Sequence, residues 1–330
     1  MKKKVIIGVI ALVLLAGLSV GGVMFMTNGM LLPYTEVKFT IMPDDMTSDI
    51  ADRLEKQGII SNRMAFELMT KMTGADAQFQ TGSAEVNSKM SYSDIIEALQ
   101  NTTQETVVVT IPEGLTLEQI AQRIEENGLV SKEDFFDEVA NGQFDYEFLT
   151  SNTALPNDAR RLEGYLFPET YHFYTGITAH DLIDTMLAQF DTEYTPQMRE
   201  DVATTGLTDY EILILASIIE KEGKTDLEII SSVFHNRLNS DEFQKLQSCA
   251  TVLYALGETK EVLSLEDIEI DSPYNTYIND GLTPTPICVP GIRAIRAAIY
   301  PMQTDYLYFI AQPDGTNSFS LTYEEHLEKQ

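Results

Sequence analysis

ILILASIIEKEG, residues 212–223, decides how this chain is read. The eight residues from Ile212 to Ile219 carry no charge, so a helix through them must be buried on nearly every side, and its polar end must surface at a defined place. That end is Glu220-Lys221-Glu222. A carboxyl group at the mouth of an apolar helix is disfavoured in its charged form, so Glu220 could keep a proton at a pH where an ordinary glutamate has lost it, as an acid catalyst needs. The same residues also fit a plainer reading, in which Glu and Lys end a buried helix by reaching into water.

Two helices are expected here, each opened by a capping box: Thr208 with Glu211 for the first, Thr225 with Glu228 for a second that ends near Leu238. Gly223 stands at the turn between them. Beyond Leu246, amides, hydroxyls and aromatic rings gather at Gln247-Ser248, Thr251, Tyr254 and Ser272 to Tyr277. Such groups without cations suit a neutral, hydroxyl-rich ligand such as a sugar chain, and equally a polar loop with structural tyrosines. A strand is expected at Tyr306–Ala311.

Upstream, an internal repeat runs at an offset of 70 residues: Thr40-Ile41, Ile50-Ala51, Arg53, Glu55, Gly58, Ser61 and Phe66 recur as Thr110-Ile111, Ile120-Ala121, Arg123, Glu125, Gly128, Ser131 and Phe136. Each copy reads as a β-branched strand, a turn and an amphipathic helix stopped at glycine. Residues 74–92 read as the strand and loop that close the first unit, and the irregular stretch from Asn141 to Arg161 is the expected domain boundary. At the start, Lys2, Lys3 and Lys4 precede an uncharged run from Val5 to Met26, 22 residues and long enough to cross a bilayer. The lysines set the N-terminus in the cytoplasm and the rest outside, and the length of the run with no small-residue cleavage site after it favours a retained anchor over a signal peptide.

The formal charge of −29 argues against nucleic-acid binding. Four histidines, at 172, 180, 235 and 326, show no metal-ligand spacing; no nucleophile elbow or phosphate-binding glycine loop occurs, and no cofactor is implied. Carboxylate chemistry or no chemistry remains. Cys249 and Cys288 lie in the exported part; bonded, they would close a loop worth on the order of 3–4 kcal/mol, and two free thiols are the other reading.

LASIIEKE at 215–222, SVFHNRL at 232–238, LQS at 246–248, YNTY at 274–277 and YLYF at 306–309 together resemble the YceG-like endolytic murein transglycosylases, as do EGYLFPETY at 163–171 and TIPEG at 110–114. The resemblance implies an α+β protein with a single N-terminal transmembrane helix, a LysM-like strand-helix module and a mixed α/β catalytic domain. It divides the chain into a cytoplasmic tip (1–4), an anchor (5–26), a linker (27–36), a LysM-like module of two related units (37–145) and a catalytic domain (146–330). It implies cleavage of the β-1,4 bond between N-acetylmuramic acid and N-acetylglucosamine in nascent glycan strands, leaving 1,6-anhydro ends, at the cell membrane beside peptidoglycan synthases. Glu220 takes the place of the catalytic glutamate, with Glu222 in reserve on another side of the helix. Gln247, Ser248, Tyr274, Asn275 and Tyr277 are candidates for holding the glycan, with Asn236, Arg237 and Glu163 as supporting groups or structural ones. A muramidase cutting the same bond with water, and a wall-binding scaffold without activity, are the alternatives. The chain departs from the family pattern at Cys249-Ala250, where Asp and often Pro are usual, and at Cys288-Val289. Both departures bring in cysteine, so a disulfide between the loops flanking the cleft is expected.

Overall fold

The computed structural model describes residue 28 and residues 32–329 apart from 43–44, 76–77, 104–105, 224, 242, 259, 261 and 313–315. The expected cytoplasmic tip and anchor, residues 1–26, lie outside the described residues, among which no helix is long and apolar enough to cross a membrane.

The chain forms two compact units: residues up to Val107 with His172–Thr178, and Val108–Tyr171 with Ala179–Gln330. The division therefore falls inside the second repeat copy, where the sequence reading placed a boundary at 145/146. The reason is packing: helices α4 (Leu117–Glu126) and α5 (Lys132–Asn141) of that copy lie against each other, and α5 lies against α7 (Ala179–Glu193), where His180 Nδ1 meets Glu138 Oε1 at 2.8 Å.

In the first unit, β1 (Glu36–Ile41) pairs antiparallel with β2 (Gly82–Asn87), from Glu36 opposite Asn87 to Ile41 opposite Gly82. Alternation along β1 buries Phe39 and Ile41 against α1 (Thr47–Lys56), α2 (Arg63–Thr73) and α3 (Tyr92–Gln100). Ile50, Leu54, Phe66, Tyr92, Ile95 and Leu99 complete the core. Asn28 is tied onto this unit: its side-chain amide donates to the Ile59 and Met90 carbonyls and its Oδ1 accepts from the Ser61 N–H.

The second copy, β3 (Thr106–Thr110) with α4 and α5, repeats the first in detail. Arg53 donates to the Thr40 carbonyl at 3.2 Å and Arg123 to the Thr110 carbonyl at 2.9 Å, each reaching back from helix to strand. Gly58 and Gly128 end the first helices at φ +72° and +70°. After them the copies slip by one residue. α2 is capped by Asn62 and α5 by Ser131, so the buried counterpart of Phe66 is Phe135 rather than Phe136, the match read from the ungapped sequence.

The second unit continues through α6 (Glu147–Thr150), the first two residues of β4 (Thr170–Tyr174, paired with β3), α7, α8 (Pro196–Val202), α9 (Asp209–Glu222), α10 (Leu227–Leu238), α11 (Cys249–Leu256), α12 (Ile292–Ile299), the hairpin β5–β6 (Tyr308–Ala311, Asn317–Ser320) and α13 (Tyr323–Leu327). Helix α9 is the axis. Every residue from Ile212 to Ile219 is buried, with α10, α11 and above all α12 packed around it. Its expected capping box is present: Thr208 Oγ1 accepts from the Glu211 N–H, and the Glu211 carboxylate accepts from the Thr208 N–H at 2.8 Å. The box expected for α10 is absent. Asp226, at φ +59°, stands at its cap position with no side-chain bond to the helix N–H groups, and its carboxylate accepts from Thr225 Oγ1 and Asn317 Nδ2 instead.

Candidate active site

Glu220 is the first polar residue of α9 past its buried stretch, and the fold stops it halfway out of the core. Its Oε2 accepts the N–H of Gly291 at 3.0 Å, and Gly291 is the residue that opens α12. The carboxyl group therefore faces the positive end of that helix, which favours its charged form, while desolvation favours the neutral one. Burial is the larger effect, with Glu113 adding to it and Arg293 and Lys221 opposing, so its pKa is raised above the ordinary glutamate value. It opens on a cleft of about 480 Å³ lined by Glu113, Gly114, Lys221, Gly223, Leu227, Gly291 and Arg293.

The cleft wall is a short ladder. The Gly114 N–H donates to the Val289 carbonyl and the Val289 N–H to the Leu115 carbonyl, each at 2.8 Å. Gly114 takes φ +81°, and Lys221 Nζ donates to its carbonyl at 3.2 Å. Gly291 is glycine because of proximity: a Cβ there would stand 2.6 Å from Glu113 Cγ.

Glu222 points elsewhere. Ser248 Oγ donates to it, and Ser248 is held in turn by its N–H to Thr276 Oγ1 at 3.0 Å and by its carbonyl, which accepts Thr251 Oγ1 at 2.8 Å. Burial raises the Glu222 pKa against the Ser248 bond and the nearby Arg237 charge. Glu163, 3% exposed, accepts the Leu117 N–H at 3.0 Å and the Tyr254 hydroxyl at 3.2 Å. Burial pushes its pKa up to about 8 in spite of both bonds.

The other sequence candidates separate. Gln247 is exposed and sits at φ +50°, an unfavourable backbone for a non-glycine residue that its N–H bond to the Thr276 carbonyl holds. Tyr277 is partly exposed, its hydroxyl 3.1 Å from Cys249 Sγ. Tyr274 and Asn275 face inward: Tyr274 bonds Thr285 at 2.8 Å, and the Asn275 amide donates to the Ile268 and Ile270 carbonyls, so these two build the loop rather than a ligand surface. Asn236 donates to the Thr304 and Tyr306 carbonyls. Arg237 is buried, donating to the Leu307 and Leu246 carbonyls and lying against the rings of Phe243 and Tyr308; burial pulls its pKa down to about 10. Both residues latch α10 to the segments around it. The expected disulfide is not formed: Cys288 is buried with its thiol toward the Ser217 carbonyl at 3.3 Å, and Cys249 is exposed. Their different surroundings, one thiol beneath α9 and one on the surface, keep them apart.

Glu113, Gly114, Lys221, Leu227, Gly291 and Arg293 are cleft residues not named as site candidates from sequence. Glu113 and Gly114 sit in the quoted TIPEG and Lys221 in EKE, so the signal was present; nothing marked Arg293.

Comparison with known proteins gives consistent matches. The model of the YceG-like family matches residues 39–330. The chain is 36% identical over 325 residues to a Bacillus subtilis (strain 168) endolytic murein transglycosylase, covering 94% of this chain and 89% of that protein. It is 36% identical over 305 residues to a Streptococcus pneumoniae (strain D39) protein of the same name, of whose length it spans 55%. A 2.6 Å crystal structure of a yceG-like protein from Listeria monocytogenes aligns over 90% of this chain and 100% of that one, at 34% identity and a TM-score of 0.59.

Proposed function

This chain belongs to the YceG-like family, and from that premise we propose that it is an endolytic peptidoglycan lytic transglycosylase with Glu220 as both acid and base. The observation that carries the reading is the Glu220 carboxyl: pKa raised, open to a cleft, one oxygen fixed by the Gly291 N–H. That bond leaves Oε1 as the oxygen to carry the proton. Glu220 gives this proton to the glycosidic oxygen as the bond from C1 of N-acetylmuramic acid breaks. The sugar's own C6 hydroxyl then bonds to C1 and releases its proton to the Glu220 carboxylate, giving the 1,6-anhydro end and restoring the acid. No water is consumed. Arg293 and Lys221 stabilise the carboxylate between the two transfers. Gln247 and Tyr277, the exposed members of the polar loops, are the groups proposed to hold the strand.

Glu113 supports a second reading. A carboxylate lining the same cleft is what a hydrolase needs to activate water on the far side of the sugar. Mass spectrometry of fragments from uncrosslinked glycan strands separates the two: anhydro ends from the native chain and none from Glu220→Gln support transglycosylation, whereas reducing ends mean hydrolysis. A folded native chain that cleaves nothing would leave a scaffold. We also propose that Val5–Met26 anchors the chain in the cell membrane with the two units outside, beside peptidoglycan synthases; the charge pattern of residues 2–26 supports the orientation.

A further inference from the structure

A second cavity, of about 450 Å³, adjoins the cleft and has no part in the chemistry above. Lys221 lines both. Between them runs the stretch from Gly114 to Leu117, pinned from each side: the Gly114 carbonyl accepts Lys221 Nζ on the cleft side, and the Leu117 N–H donates to Glu163 on the cavity side. The far walls are Phe136, Leu253 and Ile287, with the Glu163–Tyr254 pair among them and Arg160 lining the same space.

Thr116, Gln119 and the Tyr254 hydroxyl give this lining a polar side, and Leu117, Phe136, Leu253 and Ile287 give it an apolar one. It suits a short chain with small apolar side groups and peptide bonds. Peptidoglycan presents one such chain beside every glycosidic bond of the kind cut here. We propose that the Glu163 cavity is the subsite for the lactyl-peptide stem carried by the muramic acid residue whose glycosidic bond lies in the Glu220 cleft. The proposal rests on the function given above and names the part of the substrate that the cleft alone does not read. Leu117, Phe136, Leu253 and Ile287 receive the lactyl and alanyl methyl groups, while Tyr254 and the Glu163 carboxyl stand toward the amides. Two features admit a stem bearing carboxylates. Glu163 is held neutral near pH 7 by burial, and Lys221 and Arg160 supply positive charge, while the lining carboxylates Glu118 and Glu258 are paired with Lys132 and Lys260.

Leu253 is partly exposed in the cavity wall, so Leu253→Trp fills the space without entering the core. The full chain in detergent is given uncrosslinked strands with stems and the same strands stripped by an amidase. The native chain is expected to show a kcat/KM about tenfold higher on stem-bearing strands, and Leu253→Trp to bring the ratio near one with an unchanged melting temperature. A native ratio near one overturns the proposal, as does a ratio that survives in Leu253→Trp. Calorimetry on Glu220→Gln, which needs no turnover, keeps this separate from the reaction itself: a muramyl peptide should bind about tenfold more tightly than muramic acid alone, and equal affinities overturn the subsite whatever the catalytic result.

Discussion

At the scale of single residues, burial holds the carboxyl groups of Glu220, Glu222 and Glu163 toward their neutral forms, and for Glu220 and Glu163 this has a measurable consequence. For Glu220, Arg293 favours the charged form. Arg293→Gln should therefore raise the Glu220 pKa further and move the basic limb of the kcat/KM profile to higher pH; a limb that stays put or moves down would remove Glu220 as the group controlling it. Glu163 bears on stability. Its pKa is about 8 in the fold, against an ordinary value of 4.5, so the fold holds a proton that the unfolded chain loses first. That contribution is fully present below about pH 4.5 and fades as pH rises to about 8. Glu163→Gln mimics the protonated form at every pH, so its denaturation midpoint relative to the native chain should improve from pH 5 to pH 8.5. Glu220 was legible because eight apolar residues end at it. Glu222 was not, because nothing in EKE says that Ser248, 26 residues on, donates to its side chain. Asn275 is a glycan-holding candidate and Arg237 a supporting or structural one by the sequence; the partners that tie them into the fold are backbone carbonyls, which every sequence has and none displays.

At the scale of elements, periodicity and caps found α1, α4, α9 and α10, and failed where backbone conformation decides. The start of α10 rests on Asp226 at φ +59°, and the one-residue slip between the copies on which of two adjacent polar residues caps the helix. Turns that shape the site are correspondingly sensitive. Gly164 takes φ +88°, and a Cβ there would stand 2.7 Å from the ring of Pro286, which cannot swing aside. Gly164→Ala should cost about 2–4 kcal/mol in chemical denaturation, from backbone strain and overpacking together. Gly291 offers a contrast. Its φ of −75° suits alanine, and the atom in the way belongs to the flexible Glu113 side chain. Gly291→Ala should leave stability within about 1 kcal/mol of native, while the displaced Glu113 and altered cleft lower kcat about tenfold or more; equal losses in both would mean that the close approach is structural.

At the scale of the whole molecule, the division into two units is itself testable. The core of the first, from Phe39 to Leu99, lies within residues 28–103, and Asn28 is bonded into it. That fragment alone should give a single cooperative thermal transition by circular dichroism; a broad, non-cooperative melt would mean that its core is incomplete. Two units were expected from the length of the chain, yet the boundary fell inside a repeat, because similarity between copies says nothing about what each packs against. The same Arg-to-carbonyl latch closes both copies, Arg53 on Thr40 and Arg123 on Thr110. Past that latch their roles differ: the loop after Thr110 supplies Glu113 and Gly114 to the cleft, whereas in the loop after Thr40 the Met42 N–H donates to the Asp45 carboxylate, which also pairs with Arg53. Duplication has thus left the protein a spare, and a scan of insertions through both loops would meet tolerance in one and loss of function in the other, although the two strands and helices that hold them are the same design.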